Sequence, residues 1–314
     1  MAEYDVIIIG SGPAGLTAAI YSGRALVNTL VVAGRTSGGQ LMLTSDVENF
    51  PGFADVVQGP TLMMEMRKQA ERFGAEIIDD EAEFVDFSVS PFKVTVGGQV
   101  HTAKAIIIAT GSSAKWLGLS SETNLRGKGV SGCATCDGYF FRGKRVIVVG
   151  GGDTAIEEAL FLTKYATEVI VVHRRRELRA SKIMQRRALS NDKIRFVWNS
   201  IVEEILGDNG VEGVKVRDVK TGELSILACD GVFVAIGHQP NTKIFERQIE
   251  LDDKGYVLSR GTKTSVDGVF VAGDVRDYRY RQAVTAAGEG CKAAMDALAY
   301  LEEQKEVTVS AREN

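Results

Sequence analysis

The chain is short of several residue types at once. Among 314 residues there are four cysteines, five prolines and three histidines. Four cysteines cannot build the disulfide framework of a small secreted domain. The histidines, His101, His173 and His238, have no zinc-like spacing to any cysteine pair, so no metal site is assigned. Long apolar runs are missing too: residues 6–9 and 105–109 are typical, far below the ~20 residues that span a bilayer. The N-terminus passes straight into such a run, without a basic stretch or a small-residue cleavage site. Neither sign of charge dominates, since 37 basic and 41 acidic residues leave a net −4. Nothing in that balance favours nucleic acid or an anionic membrane as a partner. Together these absences exclude a secreted disulfide scaffold, a membrane protein and a polyanion binder, and they imply a reducing, cytoplasmic setting.

Glycine, by contrast, is plentiful at 34 residues, as in a chain whose backbone must approach a ligand closely. Val- and Ile-rich runs at 4–10, 28–33, 105–110, 145–150, 168–173 and 231–237 read as buried strands. Helical spacing occupies 13–26, 59–73, 154–165 and 182–189 between them. Residues 94–100 and 213–225 read as hairpin material, turning at Gly97-Gly98 and Thr221-Gly222. Such alternation predicts α/β layers with parallel sheets.

One unit occurs twice. Val6-Ile7-Ile8-Ile9-Gly10-Ser11-Gly12-Pro13-Ala14-Gly15 resembles Val146-Ile147-Val148-Val149-Gly150-Gly151-Gly152-Asp153-Thr154-Ala155. Each copy is succeeded by a second strand with a small-residue ending, Ala109-Thr110-Gly111 and Ala235-Ile236-Gly237. The repeat implies two nucleotide-binding domains of one plan. A later strand at 269–272 and a helix at 283–300 are too little for a third domain, so they are expected to complete the first. The expected fold is α/β: two Rossmann-like nucleotide-binding domains of the three-layer ββα type, the second inserted into the first. The boundaries are 1–115 with 246–314, and 116–245.

A strand, a G-x-G-x-x-G turn and a helix bring backbone amides and a helix N-terminus to a pyrophosphate. The residues downstream of each loop bear on the ligand. An NAD-binding unit carries an acid about 20 residues on, for the ribose hydroxyl. After Gly150, Gly152, Asp153 and Thr154, the next strand instead ends in His173-Arg174-Arg175-Arg176, with Arg179 beyond. Guanidinium groups there suit a 2′-phosphate, which argues for NADPH over NADH. The competing reading is a solvated basic face. The first loop lacks the acid as well and continues to Arg35, so its ligand stays open on these grounds.

Cys133-Ala134-Thr135-Cys136-Asp137 is a C-x-x-C with an acid directly after it. Such a pair can cycle between disulfide and dithiol, and Asp137 is placed to exchange a proton. Cys229 and Cys291 stand alone and read as unreactive thiols. A nicotinamide gives two electrons as hydride, whereas a disulfide takes them by thiolate exchange. A flavin relays between the two.

Taken together, these residues resemble a known family, the low-molecular-weight, bacterial-type NADPH-dependent thioredoxin reductases, over essentially the whole chain. Cys133 to Gly138 resembles the family's redox centre. Gly38-Gly39-Gln40-Leu41 and Glu48-Asn49-Phe50-Pro51-Gly52 resemble its flavin-domain loops, Gly273-Asp274 and Arg281-Gln282-Ala283 its C-terminal flavin contacts, and His173-Arg174-Arg175 with Arg179 its 2′-phosphate clamp. The resemblance implies that the first loop holds FAD. Its contacts would be Gly10, Ser11, Gly12, Pro13, Ala14, Gly15, Gly39, Gln40, Leu41, Asn49, Ala109, Thr110, Gly111, Gly273, Asp274, Arg281, Gln282 and Ala283. It implies an exchangeable NADPH at the second loop, catalysis by Cys133, Cys136 and Asp137, thioredoxin as the partner, and a homodimer. It also implies rotation of the NADPH domain, for which 117–118 and 240–244 are the candidate hinges. A dithiol oxidase of the same fold would need no arginine clamp.

Overall fold

Val6, Ile7, Ile8 and Ile9 are all buried, so this run shows no in-out alternation and belongs inside a sheet covered on both faces. A computed structural model describes residues 2–44 and 46–313, with side chains as far as residue 306. It divides into two compact units, residues 1–113 with 239–314, and residues 114–238.

In the first unit the strand Ala2–Ile9 lies between Thr29–Val32 and Gln99–Ile108, parallel to both. Glu76–Ile78 extends the sheet on one side and Val269–Val271 pairs with Gln99–Ile108 on the other, again in parallel. The N-terminal half of Gln99–Ile108 also takes part in an antiparallel meander with Phe92–Val96 and Ala82–Asp86. Val6 and Ile8 face helices Pro13–Arg24, Gly59–Arg72 and the final helix Ala283–Glu313 through Leu16, Leu62, Met63 and Ala294. Ile7 and Ile9 face the other way, towards Phe92, Phe245, Val257 and Val271. Full burial of each such side chain contributes about 1.5–3 kcal/mol.

The second unit repeats the plan. Its parallel sheet runs Val130–Ser131, Gly231–Val234, Arg145–Val149, Glu168–Val172, Ile194–Val197. Val146 and Val148 pack on the side of helix Asp153–Leu162, while Ile147 and Val149 pack towards the antiparallel sheet Ser200–Leu206, Gly213–Asp218, Leu224–Ala228.

Three features depart from the sequence expectation. The strands Glu76–Ile78, Ala82–Asp86, Ile194–Val197 and Ser200–Leu206 are additional to the expected ones. The final helix runs on to Glu313. The boundary at 245/246 is corrected to 238/239, because residues 240–245 pack within the first unit. There Thr242 Oγ1 donates to Gly255 O (2.8 Å), and Phe245 is fully buried with its ring stacked 6.2 Å from Phe87. Residues 117–118, one candidate hinge, are tied within the second unit to the helix Ser120–Leu125. The Leu117 and Gly118 amides both donate to the buried carboxylate of Glu122, at 2.9 and 3.0 Å. Among the described residues, no helix is long and apolar enough to cross a membrane.

Candidate functional site

In the first unit helix Pro13–Arg24 starts at Gly12, which has extended backbone and no side-chain cap, with Pro13 in the first turn. Its leading amides therefore face outward unsatisfied, as a phosphate site requires. A Cβ on Gly10 would stand 2.3 Å from Ala109 O, and one on Gly15 would stand 1.9 Å from Gly10 O. Only glycine fits at either position. At Gly12 nothing lies within 4 Å of such an atom, which leaves open space over the helix start.

Sequence-distant candidates converge on this loop. Ser11 Oγ donates to Ala33 O (2.8 Å) and accepts from Gly38 N (2.9 Å). That bond lays the turn at Gly39 across the loop, where a Cβ would stand 3.4 Å from Gly12 Cα. Gln40 and Leu41 belong to the same short helical turn, Gly39–Leu43. On Gly273 a Cβ would be 3.1 Å from Ala14 Cβ, so Gly273-Asp274 also borders the loop. Asn49 Nδ2 donates to Gln282 Oε1 at 3.3 Å, joining two candidates from opposite ends of the chain, and Ala283 opens the final helix.

Burial pushes the Asp274 carboxyl up to about 7. The nearby Arg281 charge opposes the shift, while Asp277 and Glu289 add to it. Arg281 has positive φ, its Nη2 donates to Tyr256 Oη (3.2 Å), and its buried Nε has no partner among the described residues. An open glycine cradle, an uncapped helix start, a buried acid and an orphaned guanidinium nitrogen fit a dinucleotide such as FAD. Glu289 and Gly290 carry no signal in the sequence. The Glu289 carboxylate accepts from Gly273 N (2.7 Å) and pairs with Arg276, and Gly290 packs so tightly on Ala14 that a Cβ would be 2.0 Å from its carbonyl oxygen.

The second unit holds a parallel arrangement. Gly152 precedes helix Asp153–Leu162 with extended backbone and no side-chain cap, and nothing crowds it. A Cβ on Gly150 would meet Ala235 O at 2.5 Å. Asp153 Oδ1 accepts from Ser181 N (2.8 Å), and Thr154 is next to it in the first turn. Arg174, Arg175, Arg176 and Arg179 are exposed, and among the described residues no ion pair neutralises them. Arg179 N donates to Gly151 O (2.7 Å), which brings the Arg179 backbone to the glycine loop. This set fits the phosphates of NADPH.

His173 differs from its neighbours. It is buried, its ring lies where a Gly151 side chain would be, and Nε2 is within 3.1 Å of Glu177 O. Burial first, then the Arg179 and Arg175 charges, hold its pKa below the usual value, so it is a neutral floor to the loop. Trp198 meets it edge-on at 6.4 Å.

The third constellation also lies in the second unit. Cys133 and Cys136 are joined by a disulfide, with Cα atoms 5.3 Å apart, at the start of the helical turn Ala134–Asp137. The Cys136 and Asp137 amides donate to Cys133 O, at 3.3 and 3.1 Å. Cys136 is exposed and Cys133 half-buried. Ser131, which no sequence motif marks, organises the pair: its Oγ accepts from Cys133 N at 3.0 Å. Burial raises the Asp137 pKa, and a hydrogen bond with Ser131 draws it back. The exposed rings of Tyr139 and Phe140 come directly after, an apolar rim beside an exposed sulfur.

The sequence matches the pyridine nucleotide-disulphide oxidoreductase family over residues 4–290. It is 55% identical over 302 residues to a thioredoxin reductase of Rickettsia conorii, covering 94% of this chain and 97% of the relative. Its identity to the thioredoxin reductase of Streptomyces clavuligerus is 56% over 301 residues, covering 95% and 94%. A solved thioredoxin reductase from Giardia duodenalis superposes with a TM-score of 0.92 at 43% identity, covering 96% of this chain and all (100%) of that one. The chain belongs to the pyridine nucleotide-disulphide oxidoreductases and, within them, to the thioredoxin reductases.

Proposed function

We propose that the protein is an NADPH-dependent thioredoxin-disulfide reductase that passes two electrons through FAD and the Cys133–Cys136 disulfide to oxidised thioredoxin. The observation carrying this reading is the disulfide with one exposed sulfur, beside a partly buried acid, in a chain with two uncapped glycine loops.

FAD, when bound, supplies the two-electron relay between a hydride donor and a disulfide. The protein's own part begins at the first loop, where the amides left free at the start of helix Pro13–Arg24, those of Ala14 and Gly15, would meet the pyrophosphate, and Asp274 and Arg281 would meet the rest of the flavin nucleotide. At the second loop, Gly150, Gly152, Asp153 and Thr154 hold the NADPH phosphates, and Arg174, Arg175 and Arg179 pair with the 2′-phosphate. His173 supports Gly151 from beneath.

Once the Cys133–Cys136 bond is reduced, the Cys136 thiolate attacks one sulfur of the thioredoxin disulfide. A mixed disulfide forms and the other thioredoxin sulfur leaves as thiolate. Cys133 then attacks Cys136 Sγ, which restores the intramolecular disulfide and releases dithiol thioredoxin. Asp137, beside the pair and with its pKa raised by burial, is the group that hands a proton to a departing thiolate and takes one back in the return step. Tyr139 and Phe140 give the partner an apolar landing beside Cys136. We expect a cytoplasmic homodimer on the family resemblance, and the molar mass in solution by light scattering tests the dimer.

Anaerobic titration with NADPH tests the electron route. Uptake of four electrons per chain, two into flavin and two into the disulfide, is the expected result. Uptake of two, with thiol counts unchanged, would remove the cysteine pair from the pathway.

A further inference from the structure

The turn after strand Gln99–Ile108 is held by a residue far along the chain. Four hydrogen bonds join Asn241 to it. The Asn241 amide donates to Gly111 O (3.0 Å) and Nδ2 donates to Thr110 O (2.8 Å). Oδ1 accepts from Ser113 Oγ (3.1 Å), and the Asn241 carbonyl accepts from Thr110 Oγ1 (2.8 Å). Asn241 is anchored in turn by its neighbours, the buried Pro240, Thr242 on Gly255 O, and Phe245 in the core.

The turn it holds is the one on which the first glycine loop rests. A Cβ on Gly10 would be 2.3 Å from Ala109 O and 2.9 Å from Thr110 N, so the Ala109–Thr110 peptide lies directly against the loop. Contact is continuous from Asn241 through Thr110 to Gly10, all within the first unit. The second unit offers an internal comparison. Gly150 rests on Ala235 O in the same way, and the turn beyond it receives the Lys115 amide at Gly237 O (2.9 Å), the counterpart of Asn241 N on Gly111 O. To that main-chain bond the first unit adds three bonds made by the Asn241, Thr110 and Ser113 side chains.

We propose that Asn241 is a positioning residue for the flavin nucleotide: it fixes the Ala109–Gly111 turn, and through it the first glycine loop, so that this unit retains its dinucleotide while the second exchanges its own. The inference rests on the assignment of FAD to the first unit. A loop held rigid before binding loses less freedom on binding and releases its ligand more slowly.

The holoenzyme and its Asn241→Ala variant are diluted, and flavin release is tracked by the rise of free-FAD fluorescence; NADP⁺ affinity is measured on the same samples by calorimetry. Release about tenfold faster in Asn241→Ala, with NADP⁺ affinity unchanged, is expected for the loss of one or two hydrogen bonds. Asn241→Asp, which keeps the acceptor for Ser113, should fall between. Should Asn241→Ala fail to fold, Ser113→Ala removes a single bond at the rim and should speed release about two- to threefold. Parent-like release in the variants that fold, or NADP⁺ affinity weakened as much as flavin retention, overturns the clamp. A parent protein that neither carries nor takes up FAD overturns the cofactor assignment itself, and the clamp with it.

Discussion

Single residues here are shifted by where the backbone puts them. Asp274 is a carboxyl with an arginine nearby, yet burial dominates and its pKa reaches about 7. In the unfolded chain it ionises near 3.8. Between these values the unfolded form binds fewer protons, so stability contributed by this group falls as pH rises from about 4 to about 7 and is level beyond. Asp274→Asn in flavin-stripped protein should therefore raise the thermal midpoint at pH 8 and leave it nearly unchanged at pH 4. Equal gains in scanning calorimetry at both pH values would contradict the assignment. The two sulfurs should also separate by role. With oxidised thioredoxin after reduction, Cys133→Ser should accumulate a covalent adduct through the exposed Cys136, visible on a non-reducing gel, and Cys136→Ser should not. None of this inequality is visible in the sequence, where the two cysteines of C-x-x-C look alike. Exposure distinguishes them, and exposure is a tertiary property.

At the scale of elements, long β-branched runs and the glycine loops are legible in the sequence because local residues determine them. A strand buried on both faces needs a continuous apolar run, and a loop under a phosphate needs glycines at fixed spacing. The short strands Glu76–Ile78 and Ala82–Asp86 are not legible. Each is only partly buried; Glu76–Ile78 pairs with Thr29–Val32, distant in sequence, and Ala82–Asp86 pairs across a short turn with Phe92–Val96 but lacks a regular in-out alternation of its own. Gly290 belongs to the same class, since nothing in a helical run of small residues announces that Ala14 O will lie beneath it. Gly290→Ala should destabilise the first unit by about 1–3 kcal/mol through overpacking, read as a lower denaturation midpoint. At the second loop, the strand end carries arginines with no carboxylate partner among the described residues. Arg175→Gln should raise KM for NADPH about 10- to 100-fold, the loss of one charge-assisted hydrogen bond, and leave KM for NADH near its starting value. A parallel change for both nucleotides would return these arginines to a solvated basic face.

For the whole molecule, the internal repeat makes the two-unit plan readable, because two copies of one strand-loop-helix imply two sheets. The return of residues 269–313 to the first sheet is also readable from length, as too little chain remains for a third domain. The crossing point is not. Residues 240–245 carry no composition signal separating them from the preceding strand, and only Asn241 bonding to Gly111 and Phe245 packing on Phe87 assign them to the first unit. The cysteine pair and the arginines fall in one unit and the first glycine loop in the other, and the electron path proposed above requires all three to serve it. Anaerobic NADPH oxidation by the purified protein, with and without oxidised thioredoxin, tests that requirement most directly. The predicted result is sustained turnover that depends on thioredoxin and disappears in Cys136→Ser, while flavin reduction by NADPH persists in that variant. Sustained turnover in Cys136→Ser, or a flavin that NADPH does not reduce, would contradict it.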